Sequence, residues 1–199
     1  MERFHTSPID IKKIHGNGRF GEFLFFASRV YVMTNGPYLT YKLECCEDEI
    51  IKASQLFYHD DVHLLDDLVA EVAKRYDVPI DVAEALIEES KDCNDFDADL
   101  SWAMQHYSAR AAKLLGYRGV EVRDEQGSAW MIDMLGRESE LIHEVELSSE
   151  AIDAERALER IENEARRNEL EMKAAITECG TRVPVPVAGA TSRRRGVYN

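Results

Sequence analysis

Gly116-Tyr117-Arg118-Gly119-Val120-Glu121-Val122-Arg123-Asp124-Glu125-Gln126-Gly127-Ser128-Ala129-Trp130-Met131-Ile132-Asp133 is the stretch that decides how the rest of this 199-residue chain is read. Gly116 follows a helical run, Ala111 to Leu115, at a place where a left-handed cap costs glycine little. Val120 and Val122 then alternate with Glu121 and Arg123 at the period of a strand. Asp124-Glu125-Gln126-Gly127 has turn composition, and Trp130 and Ile132 resume the alternation beyond it. The stretch predicts a helix stop and a hairpin, with a carboxylate, Asp124 or Glu125, held where one strand hands over to the next.

Working outward on the N-terminal side, Met1 to His5 reads as a first strand ended by Thr6-Ser7-Pro8, since proline removes a ladder donor and restrains its predecessor. Ile9 to Ile14 reads as one helical turn or a loop, and Gly16, Gly18 and Gly21 mark a connection without the spacing of a phosphate-binding loop. Phe23-Leu24-Phe25-Phe26-Ala27 is a short apolar run bounded by breakers, consistent with a buried strand. Asn35-Gly36-Pro37 is a turn, and Tyr38 to Glu44 a further strand. From Asp60 the period becomes helical. Val62, Leu65, Leu68, Val69, Val72 and Tyr76 form one stripe, with Asp60 or Asp61 as N-cap and Asp77-Val78-Pro79 as the stop. Asp81 with Glu84 resembles a capping box opening a second helix through Glu89. A third helix, capped by Asp97 or Asp99, presents Leu100, Ala103, Met104, Tyr107, Ala111, Leu114 and Leu115.

On the C-terminal side, Arg137 to Leu147 alternates again and predicts a strand that closes the sheet. At Ser148 the composition shifts to Ala, Glu and Arg. Ala151, Ala154, Leu158, Ile161, Ala165, Asn168, Met172 and Ala175 then keep 3,4 spacing, which predicts a long amphipathic helix over 148–180 with a weak coiled-coil-like seam. That seam suits docking on the first domain or self-association. Residues 181–199, with Pro184, Pro186 and Arg193-Arg194-Arg195, read as a disordered tail. The expected division is therefore 1–147, 148–180 and 181–199.

The formal net charge of −14 is concentrated: residues 47–99 hold 17 acids and 4 bases. So negative a face disfavours direct contact with nucleic acid or anionic lipid, and suits either a solvated helical surface or a basic protein groove. The four cysteines, 45, 46, 93 and 179, form no CxxC pair, so neither a zinc site nor a disulfide framework is expected. His59 and His63, four apart, would share a helix face but lack a third ligand of matching spacing. Without a signal pattern at Met1-Glu2-Arg3-Phe4-His5 or an apolar run long enough for a bilayer, the expected setting is cytoplasmic.

The hairpin, with its Leu-Gly-Tyr, Val-Glu, Asp-Glu, Gly and Trp pattern, resembles the end of the ADP-ribosyltransferase fold. Its nearest likeness is to the phage-encoded anti-CRISPR ADP-ribosyltransferases that act on type I-F surveillance complexes. Arg3-Phe4-His5 resembles the family's Phe-His opening, and Arg19-Phe20-Gly21-Glu22-Phe23-Leu24-Phe25-Phe26-Ala27 its second nicotinamide-pocket strand; the likeness runs over about residues 1–147. It implies an α+β split-sheet core with a helical insertion and the long C-terminal helix appended. It also implies NAD as co-substrate with no metal, and a subunit of a bacterial CRISPR surveillance complex as protein substrate.

The resemblance assigns roles residue by residue. Asp124 matches the essential acid in Val-Glu-x-Asp-Glu-x-Gly, with Glu125 the alternative and Glu121 third. Such an acid stabilises the positive charge that develops on the ribose when the nicotinamide bond breaks. His5 would bind a ribose hydroxyl, while Thr6 stands where the family has glycine and must offer its peptide groups with less freedom. Phe25 or Phe26 replaces the usual tyrosine that stacks on nicotinamide, unless both are core. Arg19 and Arg3 could pair with pyrophosphate, arginine being suited to bidentate phosphate contact, or be surface charges. Ser128 stands where many toxins of the fold carry their glutamate. Two rival functions fit the chain: a non-enzymatic acidic mimic of DNA, and an ADP-ribosylating toxin with another host target.

Overall fold

The computed structural model describes residues 1–30, 38–91, 98–124 and 127–147, and in the C-terminal segment 154, 157–158, 160–170 and 172. Among the described residues seven strands form one sheet: β1 (Glu2–Ser7), β2 (Phe23–Ala27), β3 (Tyr38–Glu44), β4 (Ile50–Lys52), β5 (Gly119–Asp124), β6 (Gly127–Asp133) and β7 (Ile142–Leu147). Their order across the sheet is β4-β5-β6-β2-β1-β3-β7. Only β4 and β5 run parallel; the other neighbours are antiparallel. Between β4 and β5 the chain inserts α1 (Asp66–Tyr76), α2 (Ile80–Ile87) and α3 (Ala98–Leu114). The fold is α+β, a mixed sheet with a helical insertion.

The sheet buries both faces, which is why β6 reads as a run of buried residues, Ala129 to Ile132, and not as simple alternation. On one face Val120, Val122, Ala129, Met131 and Phe23 pack with Leu68, Val72, Leu86, Ile87 and Met104 of the three helices. On the other, Phe26, Trp130, Ile132, Leu43 and Met134 close over Ile14. The segment expected to be a helical turn or loop, 9–14, is not helical; Ile14 is its buried anchor.

The predicted hairpin is present. Six residue pairs hold β5 to β6, from Gly119 with Ile132 to Asp124 with Gly127. Gly116 takes φ +89°, and the amides of Gly116 and Tyr117 bond back to Lys113 and Ala112, closing α3 as a left-handed cap does. At the far end of the hairpin Lys113 Nζ ties Asp133 of β6 (2.7 Å) to Glu22 ahead of β2 (3.0 Å). By contrast β1 and β2 meet in register at one pair, Phe4 with Ala27, whereas β1 and β3 match at six. The sheet is split between β2, its central strand, and β1.

Several expectations at helix ends are corrected. The stripe from Val62 opens as a 3-10 turn, Val62–Leu65, before α1 begins at Asp66, and Asp61 makes no side-chain cap bond there. The N-cap of α2 is Pro79, so Asp81 lies inside the first turn and no Asp81–Glu84 capping box forms. Asp99 is inside α3 and its carboxylate pairs with Arg19. Asp97 lies outside the described residues. Leu114, expected on the buried face, is exposed. His59 ends a 3-10 segment, Ala53–Tyr58, and stacks edge-on against Tyr117, so it shares no helix face with His63. β7 lies at the sheet edge beside β3.

The chain divides into compact units, Met1–Ala157 and Leu158–Asn199. In the second, residues 160–170 are helical, and Leu158, Ile161, Leu170 and Met172 are exposed. The predicted tail, 181–199, lies outside the described residues. Among the described residues no helix is long and apolar enough to cross a membrane.

Candidate active site

In-register residues on neighbouring strands share a face of a sheet, and residues two apart on one strand do so too. The rows can therefore be read directly. Phe4, Ala27, Ala129 and Val122 form one row from β1 to β5. Asp124 lies two residues beyond Val122 and so belongs to the same face, as do Phe25 and Thr6 on the other side of that row. In the middle of the row both β2 and β6 carry alanine; Ala129 is buried with Val122 under the helices, while Ala27 is partly exposed. Two strand steps and four residues along the strands put the Phe25 and Asp124 backbones roughly 16 Å apart.

His5 lies in the next row, with Phe26, Trp130 and Glu121, which faces the opposite side. Its imidazole turns into the split, where Nδ1 lies 2.7 Å from the Phe25 carbonyl oxygen. A carbonyl only accepts, so Nδ1 carries the proton and donates; burial pushes the imidazole pKa down, and the neutral ring keeps a lone pair on Nε2. His5 thus bridges β1 and β2 where they part and offers one acceptor atom.

The other sequence-predicted residues separate cleanly. Phe26 is wholly buried beneath Trp130 and Leu43, while Phe25 is partly buried against the helical core. Arg3 is buried, its guanidinium 3.4 Å above the Trp130 ring. Glu121, in the His5 row, accepts from Ser128 Oγ at 2.7 Å and is divided from His5 by Phe26 and Trp130, which fill the space between. Arg19 stacks over Trp102 at 3.9 Å and pairs with Asp99, at the mouth of a 240 Å³ cavity lined also by Phe20, Arg75, His106 and Arg110. Glu125 lies outside the described residues.

Two contacts to β5 have no counterpart in the sequence reading. Glu89, which follows α2 with φ +59°, accepts the Arg123 amide at 2.8 Å through Oε2. Gln105 of α3 donates Nε2–H to the Arg123 carbonyl at 2.8 Å. Burial pushes the Glu89 carboxyl up to about 7, against the opposing pull of its bond to Arg123. Within the acidic run 47–99 Glu89 looks like any solvated glutamate, and only the tertiary fold singles it out.

A family model described as Anti-CRISPR Type I-F ADP-ribosyltransferase AcrIF11 matches residues 10–138, a range that holds Phe25, Glu89, Gln105 and Asp124 and follows His5 and Thr6. A solved structure described as the crystal structure of an anti-CRISPR protein is similar at 24% identity, over 66% of this chain and 88% of that one, with a TM-score of 0.42. No curated protein matches. The match over more than half of the chain shows that it belongs to the anti-CRISPR type I-F ADP-ribosyltransferases, enzymes whose co-substrate is NAD.

Proposed function

We propose that Asp124 is the acid that drives cleavage of the nicotinamide–ribose bond, with His5, Thr6 and Phe25 holding that end of NAD. The acceptor of ADP-ribose is a side chain on a subunit of a type I-F CRISPR surveillance complex. The observation that carries the reading is that Asp124 shares a face of the sheet with Phe25 and Thr6, the residues that flank the split His5 bridges.

The residues suit NAD on their own chemistry. Neutral His5 presents Nε2 as an acceptor for a ribose hydroxyl, and its Nδ1–H bond to the Phe25 carbonyl fixes the ring that does so. Phe25 supplies an aromatic face only partly committed to the core. The peptide groups of Thr6 would meet the carboxamide. Ala27, partly exposed, puts a small side chain beside them.

NAD supplies a leaving group, nicotinamide, whose departure leaves positive charge on the ribose. Asp124, held at the end of a six-pair hairpin, keeps a fixed negative charge at that place, so little reorganisation is needed as the bond breaks. A preorganised group of this kind is worth about a hundred- to a thousandfold in kcat.

Incubating the purified chain with NAD and type I-F complexes, followed by mass spectrometry of each subunit, tests the proposal. One subunit should gain ADP-ribose with the wild type and not with Asp124→Asn. Modification that is equal in the two proteins would refute the role given to Asp124. Unmodified subunits together with NAD cleavage would refute the target.

A further inference from the structure

β4 is only three residues long and accompanies β5 through Ile50 with Gly119, Ile51 with Val120 and Lys52 with Glu121. Beyond Glu121 the outer edge of β5 has no strand partner among the described residues. Arg123 stands opposite Ser128 on β6, and its own N–H and C=O turn outward from the hairpin. Unpaired, they would leave the last turn of strand before Asp124 free to fray, because an edge held by neither strand nor side chain opens readily.

Both groups are met by side chains, one from the residue that follows the α2 cap and one from α3. Glu89 Oε2 takes the Arg123 N–H, and Gln105 Nε2 gives to the Arg123 C=O, each at 2.8 Å. The pair reproduces, side chain for peptide, what two residues of a longer, parallel β4 would do. Each makes this contact at a cost. Glu89 holds φ +59°, a backbone conformation unfavourable for a residue with a Cβ. Gln105 is 5% exposed, and its Oε1 is buried without a hydrogen-bond partner. Asp124 is the next residue along.

We infer that Glu89 and Gln105 are positioning residues, a clamp on Arg123 that fixes the direction of the Asp124 carboxylate. This rests on the catalytic reading of Asp124. The clamp acts on the chemical step because a carboxylate displaced by about 1 Å loses on the order of a hundredfold in rate, while contacts that bind NAD at the split are untouched.

The test is steady-state release of nicotinamide from NAD by Glu89→Ala, Glu89→Gln, Gln105→Met and Asp124→Asn, with hydrogen exchange at the Arg123 amide in parallel. Gln105→Met removes the orphan acceptor along with the donor at similar volume, so it remains informative if Glu89→Ala does not fold. The clamp predicts that Glu89→Ala and Gln105→Met lower kcat by about ten- to a hundredfold with KM for NAD within about twofold. Arg123 exchange should quicken in Glu89→Ala, and Glu89→Gln, which can still accept the amide, should restore kcat to within about threefold. If Asp124→Asn abolishes turnover while folded Glu89→Ala or Gln105→Met keeps wild-type kcat, the clamp is overturned and the acid stands. If Asp124→Asn itself keeps wild-type kcat, the acid is overturned and the clamp with it.

Discussion

Replacing Glu89 by Gln should flatten part of the pH dependence of stability. Burial raises the Glu89 carboxyl from 4.5 to about 7, so between those values the folded state keeps a proton that the unfolded state has released. The stabilisation from keeping that proton is fully present below pH 4.5 and is lost as pH rises through 7. Each pH unit across that interval is worth about 1.4 kcal/mol, so between pH 5 and pH 8 the wild type should lose about 2–3 kcal/mol through this group alone. Glutamine carries no proton to lose, occupies nearly the same volume and can accept the Arg123 amide, so its contribution should be level. Urea denaturation followed by circular dichroism at pH 5, 6, 7 and 8 would show the two curves converging toward pH 5 and separating toward pH 8, with the variant the more stable there. Parallel curves over that range would refute the argument, because a solvated Glu89 ionises near 4.5 in both states.

Other substitutions divide the roles of neighbouring residues. Phe26→Ala should cost about 3–5 kcal/mol in unfolding experiments because it empties a wholly buried site, while Phe25→Ala should chiefly raise KM for NAD in nicotinamide-release assays. Gly119→Ala would put a Cβ 2.7 Å from the Met131 carbonyl oxygen, between β4 and β6, and should lower stability by about 1–3 kcal/mol or more in thermal melts. Removing residues 158–199 should leave nicotinamide release intact and alter oligomeric state or target choice, as read by light scattering and by subunit labelling; loss of folding would assign that segment to the core.

Much of the sheet is legible in the chain because local and long-range preferences agree there. The hairpin has a helix stop at Gly116, strand-period valines and a turn, and β2 and β3 are bounded by breakers; both kinds of signal survive folding. β4 is not legible, since three residues carry no period, and it is defined only by its parallel pairing with β5. Helix starts differ where the cap carries no acceptor side chain, as at Pro79, which leaves the first-turn amides without a side-chain cap while the acid at 81 sits in the first turn. Alternation alone leaves the choice between Phe25 and Phe26 open, because the sheet is covered on both sides. The register then separates them, one on the face of Asp124 and one under Trp130. Glu89 and Gln105 are invisible in sequence because their role depends on where β4 stops.

Asp124 as the source of the negative charge at the reacting sugar is tested most directly by initial rates of nicotinamide release at saturating NAD, wild type against Asp124→Asn, with matched circular dichroism spectra. A fall of about a hundred- to a thousandfold in kcat, with the fold unchanged, is the result expected. Equal rates in the two proteins would contradict it.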